Sequence, residues 1–363
     1  MSVKILVISN YRQYHSVRPE AEVFIALANN GFDITVMTFA DSEYIPYFNN
    51  AGIRVISFHP QKRFDRKEIS FIRKELVKGK YDILHLFNSE SSINGIRAAK
   101  NIPVKVILYR GFIGHVHWYN PGSYLKYLHP RVDMVVCNST GVEESLRKQF
   151  LFRKNKTITI IKGHDPAWYD DCKPIDVRRT FGMPEDAFVL INVSNNRRMK
   201  GIKYLIKAMN ELPAEKEIWL LMVGAGMDKE GIEKKNLNSG RIIITGFRDD
   251  SLNLVAGCDL FVLSSVRGEG LNKSVLEAMA LGKPAIITDI PGTRDLVING
   301  MNGWVVPRRD PKALAKAISV FADDPALASQ MGMNARTHVE QKLNIRDTIQ
   351  QTKELYERMA ANG

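Results

Sequence analysis

The tightest constraint on the fold lies in residues 259–288. Asp259-Leu260-Phe261-Val262-Leu263 is a short apolar run typical of a buried strand. Gly282-Lys283-Pro284 ends a helix, and Ala285-Ile286-Ile287-Thr288 starts another strand. Between the strands, Gly268 to Pro284 reads GEGLNKSVLEAMALGKP, with Glu269 and Glu277 eight positions apart. The unit is therefore strand, loop, helix N-terminus, helix, strand. A loop entering a helix presents free backbone N–H groups and the positive end of the dipole, which suit phosphate oxygens. Carboxylates beside it can accept from sugar hydroxyls. An ordinary βαβ turn with two solvated glutamates is the bland alternative, because short motifs match often by chance.

The rest of the chain repeats this alternation. Its 363 residues suggest two domains, each long enough to bury a core. No apolar run reaches the ~18 residues of a membrane span. MSVKILVISN opens as a buried strand and lacks the features of a signal peptide. Cys137, Cys172 and Cys258 have no metal spacing and read as reduced thiols of a cytoplasmic protein. The net charge of +12 is uneven: residues 1–173 carry 25 Lys+Arg against 16 Asp+Glu, or +9, and the remainder 26 against 23, or +3. That field favours anionic partners, or serves solubility alone. Basic residues are spread over both halves with no recognisable nucleic-acid module, so nucleic acid is not an expected partner.

In the first half, Lys4–Ser9 is a strand. The loop after it enters a helix at about Pro19, and Ile34–Met37 follows as a second strand. This is a Rossmann-like opening without G-x-G-x-x-G. Arg12, His15 and Arg18 make its loop cationic, either as an anion contact or as a solvated surface. Residues 62–80 hold eight basic and three acidic side chains, with Phe64, Ile69, Ile72, Leu76 and Val77 spaced as one helical face. Such a helix can lie on an anionic bilayer or pack its apolar face into the domain. Further strands at 81–86, 104–108, 133–139 and 158–161 imply a parallel sheet with helices on both faces. Ligands then bind at the carboxyl ends of the strands, which places Arg18, His85, Arg110 and the His115–His117 segment on one rim. Trp118, Tyr119, Tyr124 and Tyr127 admit core packing, the default, or stacking on a sugar or acyl chain.

After a linker at 166–174, a second α/β pattern carries a series of landmarks. They are Gly-His-Asp at 163–165, Arg-Arg-Met-Lys-Gly at 197–201, Val-Gly-Ala-Gly at 223–226 and Thr-Gly-Phe at 245–247. The Glu-Gly-Leu…Leu-Glu-Ala-Met-Ala-Leu-Gly-Lys-Pro stretch follows. The order resembles the retaining glycosyltransferases of family four, most specifically over residues 188–307. The resemblance implies a GT-B fold: two Rossmann-like parallel-sheet domains facing across a cleft, with a C-terminal helix crossing back to the first domain. The expected domains are 1–168 on the acceptor side, 169–340 for the donor, and 341–363 for the returning helix.

The resemblance also implies roles. Lys200 and one of Arg197 and Arg198 resemble the basic pair on the donor diphosphate. Gly246 and Phe247 resemble the segment that recognises the base, and Glu277 the glutamate on the ribose. Glu269 resembles the residue facing the donor sugar. Gly270, Leu271, Asn272 and Lys273 resemble the turn whose amides meet phosphates and sugar. The first half departs from the pattern. Ser16-Val17-Arg18-Pro19-Glu20 stands where the family has a Gly-Gly pair, so Arg18 can replace backbone amides. Arg110 stands where the family has a histidine, with His115 and His117 a few residues later. The implied activity is transfer of a sugar from a nucleotide-diphosphate sugar to a glycan or glycolipid hydroxyl, with retention and without a metal or other cofactor. The implied setting is the cytoplasm, at the inner face of the membrane if the basic helix docks there. A sugar-nucleotide epimerase of the same fold and a non-catalytic nucleotide-sugar binder are the alternatives.

Overall fold

The computed structural model of the protein describes residues 2–151, 154–227 and 240–361. The chain divides into two compact units: Met1–Gly163 together with Ile345–Gly363, and His164–Asn344.

In the first unit the strands are β1 (Lys4–Ile8), β2 (Asp33–Thr38), β3 (Arg54–Ser57), β4 (Ile83–Leu86), β5 (Lys105–Arg110), β6 (Met134–Cys137) and β7 (Thr157–Thr159). They pair in parallel in the order β3-β2-β1-β4-β5-β6-β7. Burial on both faces explains why β1 after its exposed Lys4, and β4 apart from His85, are apolar runs. The order reverses between β1 and β4, the position where open α/β sheets gather ligands.

The first helix departs from expectation. It runs Tyr14–Asn29 and contains Pro19, so it starts more than a turn before the predicted entry. Proline in the second turn forfeits a hydrogen bond. Contacts at Tyr14 offset this: its N–H donates to Glu43 Oε2 at 2.7 Å, and its ring stacks on Tyr44 at 4.9 Å. Arg18 thus sits on the helix rather than in a loop.

The basic segment forms the helix Arg66–Gly79, capped by Asp65, whose side chain accepts from the N–H groups of Lys67 and Glu68. Ile72 and Leu76 are buried, while Phe71 and Val77 are exposed. The predicted stripe is therefore not one face. Phe64 lies ahead of the helix with φ 62° and carries the Arg97 guanidinium over its ring at 4.3 Å.

The C-terminal stretch is also corrected. The sequence pattern from Pro325 to about Met359 reads as one helix, but two form, Pro325–Lys342 and Ile345–Ala361. The break falls where the chain passes from one unit to the other, and the Leu343 carbonyl there accepts from His164 N–H at 2.9 Å. The final helix belongs to the first unit. Its Tyr356 is fully buried with Oη 2.6 Å from His85 Nδ1, and its Thr348 hydroxyl accepts from Gly163 N–H at 2.9 Å. The unit boundaries lie at 163/164 and 344/345, where the sequence suggests 168/169 and 340/341. The predicted linker begins with a short turn, Pro166–Tyr169, that belongs to the second unit.

In the second unit the described strands are β8 (Phe188–Val193), β9 (Ile218–Val223), β10 (Ile242–Gly246), β11 (Leu260–Leu263), β12 (Ala285–Thr288) and β13 (Gly303–Val306). Their order is β10-β9-β8-β11-β12-β13, again parallel, with the reversal between β8 and β11. Among the described residues no helix is long and apolar enough to cross a membrane.

Candidate active site

In the second unit, the loops after β8 and β11 meet at the carboxyl edge of the sheet, beside the reversal. Two bonds join them. Ser264 Oγ donates to the Lys200 carbonyl at 2.9 Å, and Val266 N–H donates to the Met199 carbonyl at 2.8 Å. Gly201 makes this approach possible. Its φ is +66°, and a Cβ there would stand 2.0 Å from the Ser264 carbonyl oxygen.

The helix Lys273–Ala280 starts beside this junction. Asn272 caps it, with Oδ1 accepting from Val275 N–H at 3.1 Å. Val275, Leu276 and Met279 bury its inner face, which aims its N-terminus at the sheet edge. Glu269 lies between the two loops, only 8 % exposed. Its Oε1 is 2.6 Å from Lys200 Nζ and accepts from Ser265 Oγ at 2.7 Å; its Oε2 accepts from Asn272 Nδ2 at 3.3 Å. The backbone behind it is held by Gly292, where a Cβ would stand 1.9 Å from the Glu269 carbonyl oxygen.

Lys200, Glu269 and Asn272 are thus brought together as one polar cluster, with Gly270 buried and Leu271 half-buried beside it. Glu277 lies a turn further along the helix and pairs with Lys273. Gly246 ends β10 with φ +71°, and its carbonyl accepts from Gly224 N–H at 2.8 Å. Phe247 follows with 71 % of its surface exposed, an apolar ring free to stack. Arg197 and Arg198 are exposed ahead of Lys200. Sequence reasoning missed Ser265 and Gly292. The Ser-Ser pair that ends the β11 run is the available signal for the first. Among the described residues no group of three His, Cys, Asp or Glu side chains is arranged to hold a metal ion.

The first unit has its own edge, with a different distribution of polar groups. Arg110 is 3 % exposed and packs on the rings of Tyr127 and Phe112, 4.4 Å and 4.8 Å from their centroids. Its Nη2 donates to the Gly114 carbonyl at 2.5 Å. It therefore braces the loop 111–117, in which His115 is exposed with φ 61°. His85 is buried, not on the rim, and burial pushes its pKa down to about 3. Arg18 is half-buried with its guanidinium 5.6 Å from the Tyr14 ring centroid. Next to it Glu20 is buried, accepting from Ser9 Oγ at 2.6 Å and pairing with Lys162 at 3.3 Å. Trp118, Tyr119 and Tyr124, expected by default in the core, are exposed at 50 %, 67 % and 39 %; Tyr127 alone of the four is buried.

Two sheets of this topology, with a polar cluster at a helix N-terminus of the second, define the GT-B class. The profile described as Glycosyl transferases group 1 matches residues 175–338, and that described as Glycosyltransferase Family 4 matches residues 21–168. The chain belongs to glycosyltransferase family 4. It is 28 % identical over 202 residues to the lipopolysaccharide core biosynthesis glycosyltransferase LpsE of Rhizobium meliloti, covering 55 % of this chain and 56 % of that one. It is 24 % identical to the UDP-Gal:alpha-D-GlcNAc-diphosphoundecaprenol alpha-1,3-galactosyltransferase of Escherichia coli, covering 95 % and 94 %. The crystal structure of Anabaena HepE in complex with UDP superposes with a TM-score of 0.78 at 21 % identity, over 99 % of this chain and all of that one.

Proposed function

We propose that the protein is a glycosyltransferase that moves a sugar from a nucleotide-diphosphate sugar to the hydroxyl of a glycan or glycolipid acceptor, in cell-surface polysaccharide, lipopolysaccharide or other glycoconjugate synthesis. The observation that carries this reading is the cluster of Lys200, Glu269 and Asn272 at the start of the helix Lys273–Ala280. On this reading the diphosphate meets Lys200, Arg198 with Arg197 beside it, and the N–H groups of residues 270–273. These groups oppose the charge that grows on the leaving group, the largest single lever in such reactions. Glu277 takes the ribose hydroxyls, and Phe247 with the backbone of Gly246 takes the base. Glu269 accepts from the donor sugar once the diphosphate has drawn Lys200 away.

The reaction proceeds with retention. The bond from the anomeric carbon to the diphosphate oxygen breaks, and the acceptor oxygen bonds to that carbon on the same face. The acceptor proton passes to the departing diphosphate. Lys200 and the arginines supply the electrostatics, so no metal is required and activity survives exhaustive chelation; loss restored by manganese overturns that part. In the first unit Arg110 holds the loop that presents His115, and Arg18 supplies an anion contact. The first unit receives the acceptor, at the cytoplasmic face of the membrane. Basic residues of the helix Arg66–Gly79, with exposed Phe71 and Val77, suit an anionic bilayer. Absence of sedimentation with anionic liposomes at either low or moderate salt removes the membrane part.

The test of the main reading is a thermal-shift screen of nucleotide sugars, followed by incubation of the stabilising donor with and without glycan acceptors. The expected outcome is stabilisation by one donor and acceptor-dependent release of nucleoside diphosphate. Conversion of the donor sugar without acceptor identifies an epimerase instead. Binding without turnover identifies a non-catalytic binder.

A further inference from the structure

The buried side chain of Asn272 makes two bonds at opposite ends of one amide. Its Oδ1 accepts from Val275 N–H at 3.1 Å, capping the helix Lys273–Ala280, and its Nδ2 donates to Glu269 Oε2 at 3.3 Å. The first bond decides the sense of the second. Only the amide oxygen can accept from a backbone N–H, so the amino end necessarily faces the carboxylate. The two oxygens of Glu269 are held differently. Oε1 receives Lys200 Nζ at 2.6 Å and Ser265 Oγ at 2.7 Å, whereas Oε2 receives Asn272.

Capping alone does not account for an asparagine at this position. Aspartate and serine cap a helix about as well. Aspartate has no proton to donate, and serine ends one bond short of the Nδ2 position. Asparagine is the capping residue whose side chain also donates beyond the cap. That second bond matters most when Lys200 moves to an arriving diphosphate. A buried carboxylate deprived of its cation turns toward whatever donors remain, or takes up a proton. Ser265 and Asn272 are the donors that remain, one on each oxygen, and together they resist rotation of the carboxylate.

We infer that Asn272 is a positioning residue whose Nδ2 fixes the rotation of the Glu269 carboxylate and keeps a hydrogen bond on it when Lys200 departs. Glu269 then meets the donor sugar charged and correctly turned. The inference rests on the reading that Glu269 faces the donor sugar and that the diphosphate draws Lys200 away. It also ties this carboxylate to the helix whose first N–H groups meet the diphosphate on that reading. One element thereby sets the phosphate contacts and the sugar contact together.

The test uses the full chain with Asn272→Ser, Asn272→Asp, and Asn272→Asp combined with Glu269→Gln. Both single variants keep a capping residue, so the helix is retained. With the nucleotide sugar found in the thermal-shift screen, kcat is expected to fall about tenfold or more in both, while KM for that donor and UDP affinity stay near those of the parent. Asn272→Asp also sets two carboxylates side by side, and like charges hold a proton to higher pH. Its urea midpoint is therefore expected below that of Asn272→Ser at pH 7, with the gap narrowing at pH 5 as the pair takes up a proton. In the double variant the amide and the carboxylate trade places, so the hydrogen bond is remade with donor and acceptor reversed. The melting temperature is expected to recover there, and turnover is not. Parental kcat in both single variants overturns the inference. So does recovery of turnover in the double variant, because a structural tie between the two side chains is then enough. Failure of UDP and every nucleotide sugar to bind the unmodified protein is a separate result that removes the transferase reading. The urea comparison then still decides the contact: equal midpoints at both pH values show that Asn272 does not hold Glu269.

Discussion

Gly292→Ala tests the architecture of the donor cluster without touching any of its polar groups. The added Cβ would stand 1.9 Å from the Glu269 carbonyl oxygen, 2.6 Å from its carbon and 2.9 Å from Gly270 Cα. Ordinary van der Waals contact begins at 3.4 Å, so the backbone at 269–270 or the turn at 291–293 has to move by more than an ångström. Both sides are backbone, so no rotamer change relieves the overlap. Overpacking of this kind destabilises by roughly 1–3 kcal/mol, which corresponds to a fall of about 2–12 °C in the melting temperature of a unit this size. Glu269 itself is held by Lys200, Ser265 and Asn272, and a shift of its backbone strains all three contacts. Displacement on that scale at a reacting centre lowers turnover by about a hundredfold. The assay is transfer rate with the donor found in the screen, together with UDP affinity and a melting curve. Gly31→Ala is the control: its φ is +88° with nothing within 4 Å of the new Cβ, so it strains the backbone away from the cluster. Turnover in Gly292→Ala equal to that of the control refutes the claim that this glycine sets the position of Glu269.

Lys200→Met leaves the Glu269 carboxylate with only neutral donors and is expected to lower stability by about 1–3 kcal/mol, whereas Lys200→Met with Glu269→Gln recovers much of it in a denaturant double-mutant cycle; additive effects contradict a direct pair. His85 is depressed to about 3 in the fold, against ~6.5 in the unfolded chain, so its contribution is complete above pH ~6.5 and is lost as pH falls toward 3. Urea unfolding at pH 7 and pH 5 should show the parent losing about 2 kcal/mol more than His85→Gln; parallel losses contradict a neutral buried imidazole. Truncation after Asn344 removes buried Tyr356 and Leu355 from the first unit and is expected to abolish its cooperative melting transition, read by calorimetry, while UDP binding by the second unit persists.

The parallel sheets were legible because each buried strand is a continuous apolar run, and Leu260–Leu263 and Ala285–Thr288 announce themselves without help from context. Glu269 and Glu277 were legible as members of a spaced motif. What the sequence hid depends on contacts between distant residues. The helix starts at Tyr14 because Glu43 and Tyr44 meet it there, and a proline at position 19 argued for a later start. The apolar periodicity runs on through Leu343 and Ile345, and it masks the helix-start signal of Asn344 with Asp347 in the first turn. His85 sits at the end of a strand where rim residues belong, yet Tyr356, from the far end of the chain, covers it. Gly292 carries no motif; its role exists only because the Glu269 carbonyl lies against it.

The two units satisfy their charges differently, and this bears on how each meets a ligand. In the second, Lys200 is already paired with Glu269 and Lys273 with Glu277, so these two cations have internal partners. A diphosphate entering there exchanges one anion for another, which favours ligands that bring hydroxyl donors to occupy the released carboxylates. On the proposed reading a nucleotide sugar would do this at both glutamates, with the ribose at Glu277 and the sugar at Glu269, and inorganic pyrophosphate at neither. In the first unit the buried cation Arg110 has its neighbours in aromatic rings and a carbonyl, and an N–H left over. Selectivity between sugar-bearing and bare phosphates is therefore expected to come from the second unit. Pyrophosphate should accordingly compete poorly with nucleotide sugars for the second unit.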